Sequence, residues 1–96
     1  MENLLVDLWY EDRLDGLSNY SLWKEMIRSI LLVNKIWEFV DKEMWKQIDP
    51  KELEVYEELN VKAKLIILYG VKDQLIPHLT GKNTAWEMWN ALQDLF

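Results

Sequence analysis

The sequence predicts a small all-α bundle of four to five helices. Glycine and proline are scarce, with three and two copies in 96 residues, and apolar residues recur every three or four positions over long stretches. A chain of this length forms one domain at most. We expect residues 14–96 to form that single helical domain, preceded over residues 1–13 by an extended arm or a short helix.

The first helix is predicted from about Tyr20 to Val33. Ser18 and Asn19 precede it, and both are residue types that cap helix N-termini. Gly16 lies just upstream, where the chain must turn. The apolar stripe of this helix consists of Tyr20, Trp23, Met26, Ile27, Ile30 and Leu31.

A second helix is predicted over roughly residues 35–48. It should end at the dipeptide Asp49–Pro50, because the residue before a proline avoids the helical conformation. The predicted apolar stripe of this helix consists of Ile36, Trp37, Val40, Met44, Trp45 and Ile48.

The same dipeptide starts the third helix, which we expect to extend to about Lys72. Asp49 can cap the helix, Pro50 suits its first position, and Glu52 completes a capping-box pattern. Residues 65–69 are apolar all round the helix, and such a segment is expected in the middle of the core.

The last third of the chain predicts a short piece and a final helix. Residues 73–79 fit a single helical turn that Pro77 breaks. The final helix starts at Thr84, which forms a T-x-x-E capping box with Glu87. Its apolar face consists of Ala85, Met88, Trp89, Leu92, Leu95 and Phe96.

Composition argues against several classes of function. Seventeen acidic and eleven basic residues give a net charge of −6, whereas proteins that coat nucleic acid need positive charge to neutralise phosphates. Cysteine is absent, which excludes thiolate metal sites and cysteine nucleophiles. No apolar run approaches the roughly 20 residues of a membrane span. We therefore expect neither direct nucleic-acid binding nor a membrane partner.

Catalytic patterns are equally scarce. His78 is the single histidine, and a lone histidine beside apolar residues is more often structural or exposed than catalytic. Ser18, Ser21 and Ser29 lie in or near the first helix, and nothing in their spacing suggests a catalytic triad. The chain also lacks a glycine-rich phosphate loop and the ligand spacing of a calcium loop. The sequence predicts a protein that is not an enzyme and that has no cofactor and no metal site.

Six tryptophans are an unusual number for a chain of this length. Trp23, Trp37 and Trp89 fall on predicted apolar stripes, which indicates core packing. Trp86 lies off the centre of the last apolar face, and Trp9 lies in the N-terminal arm. Because exposed aromatic residues commonly anchor interfaces, Trp9 and Trp86 are candidate interface residues, with simple peripheral packing as the alternative.

Four patterns follow one another along the chain. They are Leu14-x-Gly16-x-x-Asn19-Tyr20-x-x-Trp23, Trp37-Glu38-Phe39-Val40, Ala63 to Ile67, and Thr84-Ala85-x-Glu87-x-Trp89-x-x-Leu92-x-x-x-Phe96. Together they resemble the Gag polyprotein of copia-type LTR retrotransposons, in which L-x-G-x-N-Y-x-x-W opens an amphipathic helix and T-A-x-E-x-W-x-x-L closes the region. Trp86 departs from this pattern, since the family usually has a polar residue there.

The resemblance implies a structural protein. The matched region is similar to the N-terminal capsid lobe, an all-helical bundle that self-associates in the shell of a cytoplasmic virus-like particle. In the family the RNA contact usually lies further downstream. The resemblance also implies a homo-oligomer completed by a C-terminal lobe, and the end of the last helix at Phe96 is typical of a fragment of a longer Gag.

The motif residues are expected to encode the fold rather than a binding pocket, with Asn19 as a cap. Two alternatives stay open. The first is a domesticated Gag-derived adaptor that binds a host peptide or helix through a hydrophobic groove. The second is a nucleic-acid-associated regulator, for which the basic residues are too dispersed. The expected core of the motif consists of Leu14, Gly16, Asn19, Tyr20, Trp23, Trp37, Ala63, Trp89, Leu92 and Phe96.

Overall fold

The computed structural model describes residues 13–43 and 49–96, and over these residues the predicted all-α class is confirmed. Their only β-type pairing is an isolated parallel bridge between Leu14 and Val71. The N-terminal arm with Trp9, and the predicted helical positions 44–48, lie outside the described residues. The elements are α1 (Leu17–Val33), α2 (Glu38–Asp41), a 3-10 segment Pro50–Glu52, α3 (Leu53–Tyr69), a 3-10 segment Asp73–His78 and α4 (Ala85–Leu95).

Helix α1 begins at Leu17, so the predicted start near Tyr20 is wrong by about one turn. The capping side chain lies inside the helix rather than before it. Asn19 Oδ1 accepts hydrogen bonds from the backbone N–H groups of Asp15 at 3.1 Å and Gly16 at 3.4 Å. Because the Asn19 side chain bonds to N–H groups that precede it, the helix can begin before Asn19.

The predicted second helix is also wrong over much of its described length. Lys35 has φ of 63°, a left-handed conformation that ends α1 instead of starting a new helix. The N–H of Ile36 donates to the carbonyl of Leu31 at 2.9 Å, as in a Schellman motif. Helix α2 is a single turn, and the backbone is already extended at Lys42.

The predicted start of the third helix at Asp49–Pro50 is a 3-10 turn, in which Asp49 Oδ1 accepts from the N–H of Lys51 at 3.0 Å, and α3 itself begins three residues later at Leu53. It ends at Tyr69, before the predicted Lys72. The expectation that residues 65–69 lie in the middle of the core is only partly right. Leu65 and Tyr69 are exposed, because α3 packs against its neighbours on one side only. Its buried residues are Tyr56, Asn60, Ala63, Ile66 and Ile67.

Helix α4 begins at the predicted cap. Thr84 Oγ1 accepts from the N–H of Glu87 at 3.1 Å, while Glu87 Oε1 accepts from the N–H of Asn83 at 2.8 Å, one residue before the cap. Pro77 does not break the preceding segment, which continues through it as a 3-10 helix. A proline is tolerated there because 3-10 turns are short and leave many N–H groups unpaired.

Candidate interaction surfaces

The first motif anchors the start of the described chain to the end of α3. The carbonyl of Gly70 accepts two hydrogen bonds, from the Leu14 N–H at 2.8 Å and from Trp23 Nε1 at 2.6 Å. A Cβ atom at Gly70 would lie 2.9 Å from Ile27 Cδ1 and 3.2 Å from Trp23 Nε1. The glycine therefore allows α1 to approach closely, and the motif acts as a structural clamp.

A chain of aromatic contacts crosses the core between two motifs, the first and the last of the four sequence patterns. The ring centroids of Phe96 and Tyr20 lie 5.1 Å apart, and those of Tyr20 and Trp23 lie 6.3 Å apart. Trp23 stacks on Trp89 at 5.7 Å, and Trp37 meets Trp89 edge-on at 5.5 Å. Aromatic pairs at these separations contribute about 0.5–1.5 kcal/mol each beyond their burial. The two motifs therefore meet inside one core.

Asn60 is a structural residue that sequence reasoning missed. Its side chain is buried, its Nδ2 donates to the carbonyl of Asn83 at 3.1 Å, and its Oδ1 accepts from the N–H of Ala85 at 2.9 Å. It therefore joins the middle of α3 to the N-terminus of α4. The position of Asn60 in the sequence could have indicated this role, since it is a polar residue on the apolar stripe between Tyr56 and Ala63.

The first candidate surface is the tryptophan cleft, defined by Trp37, Trp86 and Arg28. Both indole side chains are half-buried, and the guanidinium of Arg28 lies 5.3 Å from the centroid of the Trp37 ring. An open cleft of about 330 Å³ lies between α1, α2 and α4, with Trp86 and Trp37 in its lining. On one wall Lys24 Nζ donates to Gln93 Oε1 at 3.2 Å.

The second candidate surface is the outer face of α3, defined by Val61, Leu65 and Tyr69. Residues four apart lie above one another on one side of a helix, and these three side chains are 51%, 37% and 49% exposed. Over eight residues the face extends about 12 Å along the helix. It is an apolar stripe opposite the packed side of α3.

The third candidate surface is the groove between α3 and α4, with a volume of about 570 Å³. Its lining contains the apolar or aromatic side chains of Leu53, Tyr56 and Val61, and the charged side chains of Glu57, Glu87 and Lys64. Burial, and then the nearby carboxylates of Glu87 and Glu57, raise the pKa of Tyr56 above its usual value of 10.0. The groove therefore combines apolar lining residues with two carboxylates and one lysine.

The motif residues lie at different depths. Trp86 is half-buried, and Trp9 lies outside the described residues. Five motif residues are half-buried: Gly16, Asn19, Tyr20, Trp37 and Phe96. Five are buried: Leu14, Trp23, Ala63, Trp89 and Leu92.

His78 is exposed. Within the part of the chain that the structure describes, no three histidine or carboxylate side chains are grouped to hold a metal ion. None of the described helices is both long and apolar enough to cross a membrane. Comparison with protein-family models, with curated proteins and with solved structures found no match. Sequence pattern and surface geometry therefore carry the functional proposal.

Proposed function

We propose that this chain is the N-terminal capsid-like domain of a copia-type Gag protein, and that it self-associates in the shell of a cytoplasmic virus-like particle. The first and the last of the four sequence patterns support this proposal, because their residues form structural contacts. Leu14 and Trp23 clamp α1 to α3, and Trp89 packs on Trp23. A signature made of clamps and core contacts suits a structural protein whose function is its shape.

The tryptophan cleft is the observation that carries the self-association. Trp86 and Trp37 line an open surface beside a guanidinium group, and tryptophan and arginine are enriched among residues that dominate binding energy. Trp86 occupies a position where the family pattern usually has a polar residue. An indole that is only half-buried in the monomer gains free energy when a neighbouring subunit covers it.

Sedimentation velocity over a wide concentration range tests the proposal. We expect the parent chain to form dimers or larger species as its concentration rises. Trp86→Ala should weaken the association by about 30-fold, equivalent to about 2 kcal/mol, as for other interfacial tryptophans. Circular dichroism should show the same helical content for both proteins, because Trp86 lies at the edge of the core.

Leu22→Ala is the matched control, since Leu22 is an exposed apolar residue of α1 outside the lining of the cleft. It should associate like the parent. An unfolded Trp86→Ala variant would place this residue in the core and contradict the interface. A parent chain that stays monomeric at every concentration would contradict self-association.

A second candidate function, an adaptor that binds a peptide or helix of a host protein, is favoured by the groove between α3 and α4. Its lining contains Leu53 and Tyr56, and two glutamates, Glu57 and Glu87, outnumber the single lysine. This combination suits a segment with apolar and basic residues. A strictly monomeric chain that binds a basic amphipathic peptide, and loses it in a Glu57→Lys/Glu87→Lys variant, would favour the adaptor.

A further inference from the structure

Helix α3 carries a second apolar face that the described helices leave exposed. Val61, Leu65 and Tyr69 form this outer face, opposite the residues that pack into the core. A helical segment that is apolar on all sides, as residues 65–69 are, is normally buried on all sides. Among the described elements α3 contacts α1, α2 and α4, and its buried residues lie on the inner side. The described helices therefore leave its outer face exposed.

The charges beside the outer face change sign along the helix. Glu54, Glu57 and Glu58 are the charged residues of its N-terminal half, and Lys62 and Lys64 are those of its C-terminal half. At 3.6 residues per turn, Glu57 and Lys64 lie on one flank of Val61, and Glu58 and Lys62 lie on the other. Each flank therefore has an acid toward the N-terminus and a lysine toward the C-terminus.

These charges are not paired within the described chain. No ion pair joins Glu57, Glu58 or Lys62 to another of the residues that the structure describes. Lys64 Nζ lies 3.5 Å from the carbonyl oxygen of Asn83, at the limit of a hydrogen bond. The four side chains are accessible to a partner.

We propose that α3 binds α3 of a second copy of this chain through its outer side, antiparallel and across a two-fold axis near Val61, so that Val61 meets Val61 and Leu65 lies over the turn of the second copy that carries Glu57 and Glu58. In this arrangement each flank meets the same flank of the other copy with its direction reversed. Glu57 then faces Lys64 of the second copy, and Glu58 faces Lys62 of the second copy. The two helix dipoles also run antiparallel, which places each acidic N-terminal half beside a C-terminal half.

Charge complementarity selects a second copy over other occupants. A surface that carries both signs in mirror order about its own centre is complementary to itself, as an isologous contact requires. A uniformly basic peptide would match only the glutamates of the N-terminal half. A single helix pair buries less area than a standard protein interface, so we expect a weak, concentration-dependent dimer.

This inference rests on the proposed self-association, to which it adds a contact distinct from the tryptophan cleft. Trp86 does not belong to α3, and the lining of the cleft contains no α3 residue. Two different contacts on one subunit are what a shell requires, because a single two-fold contact closes into a dimer and stops.

Two charge-reversed variants of the full chain test the geometry by sedimentation equilibrium. The first is Glu57→Lys/Glu58→Lys, and the second is Lys62→Glu/Lys64→Glu. In each variant alone the facing residues carry like charges, so the Kd for self-association should rise by about tenfold or more. In an equimolar mixture every facing pair is again opposite in sign, and a heterodimer should form at least as tightly as the parent dimer.

The first variant also separates this geometry from overall repulsion. Its net charge is less negative than that of the parent, so repulsion between whole molecules would make it associate more tightly. The helix pair predicts weaker association. Circular dichroism is expected to be unchanged in both variants, since Glu57 and Glu58 are exposed and the lysines are only half-buried.

Disulfide formation gives a second measurement, because the parent chain has no cysteine. A Val61→Cys variant should form a covalent dimer under mild oxidation, since the two-fold axis brings both copies of this position together. Val55→Cys is the matched control, exposed on α3 but away from the outer face. It should form a covalent dimer far more slowly.

Several outcomes would overturn the inference. The first is a mixture of the two charge-reversed variants that associates no more tightly than either variant alone. The second is charge-reversed variants that associate like the parent, and the third is a parent chain that stays monomeric. If Trp86→Ala abolishes association while the charge reversals have no effect, the α3 contact is wrong and the tryptophan cleft stands. If the charge reversals act and Trp86→Ala does not, the α3 contact stands alone.

Discussion

The inner and outer faces of α3 have similar apolar character and opposite surroundings. On the inner face Ala63 and Ile67 are fully buried, and Asn60 bonds to the start of α4. On the outer face Leu65 is 37% and Tyr69 is 49% exposed. The inner face is a set of contacts already made within one chain. The outer face is partly exposed apolar area that no described helix covers.

This difference teaches that hydrophobicity alone does not assign a side chain to a core. Burial of apolar area stabilises whichever assembly removes it from water, whether a folded monomer or a pair of subunits. Variants on the two faces should therefore differ in the property that they change. Inner-face contacts should control the free energy of unfolding, and outer-face contacts should control association.

Trp23→Ala should have the largest effect on unfolding. It removes an indole that stacks on Trp89 and donates to the carbonyl of Gly70 at the end of α3. Truncation of a buried tryptophan costs about 3–5 kcal/mol, against a total stability of about 5–10 kcal/mol for a small domain. We expect cooperative thermal unfolding, followed by circular dichroism, to be lost.

The outer-face control for this variant is Leu65→Gln, which should change the free energy of unfolding by less than about 1 kcal/mol. Trp23→Phe should give an intermediate loss, because it keeps a ring in the core and removes the N–H donor. A Trp23→Ala protein that still melts sharply near the parent temperature would contradict the clamp between α1 and α3.

Asn60→Ala should have the next largest effect. It removes one of the bonds to the carbonyl of Asn83 and leaves the buried N–H of Ala85 without its side-chain partner, and an unpaired buried polar group costs about 1–3 kcal/mol. Urea unfolding should measure this loss. Asn90→Ala is the matched control, since Asn90 Nδ2 bonds only to the Trp86 carbonyl one turn away in α4. Equal losses in both variants would contradict the role of Asn60 as a link between helices.

Local sequence patterns predicted the parts of the fold that depend on local contacts. The Thr84 cap of α4 and the Asp49 turn before α3 each need partners only two or three residues away. Sequence spacing determines such contacts before any tertiary packing exists. The stripe of α1 was predictable for a similar reason, since Trp23 and Ile27 lie one turn apart on its buried side.

The predictions that failed concern contacts that the spacing of residues along the sequence does not determine. Lys35 is a good helix former, yet it adopts a left-handed conformation because the end of α1 closes a Schellman motif around it. Asn60 finds its partners more than twenty residues away. Leu65 and Tyr69 belong to an all-apolar segment, and only the packing of neighbouring helices decides which of its sides is covered.

The smallest expected effect concerns pH and the start of the inner face of α3. Burial and the carboxylates of Glu87 and Glu57 raise the pKa of Tyr56 above 10.0. As the pH rises, the unfolded chain therefore loses this phenolic proton before the folded protein does. The contribution of Tyr56 to the free energy of unfolding is then constant below about pH 10 and falls as the pH rises toward the folded-state pKa.

Urea unfolding at about pH 8 and at about pH 11, on either side of the ordinary tyrosine pKa, tests this linkage. The parent should lose more free energy of unfolding between the two conditions than Tyr56→Phe, which has no phenolic proton. Glu87→Gln should lower the pKa of Tyr56 in a near-ultraviolet titration, because it removes the carboxylate charge and keeps an acceptor for the Asn83 N–H. An identical alkaline loss in the parent and in Tyr56→Phe would mean that the phenol is hydrated in the folded protein. It would then belong with the uncovered groups of α3 rather than with its packed face.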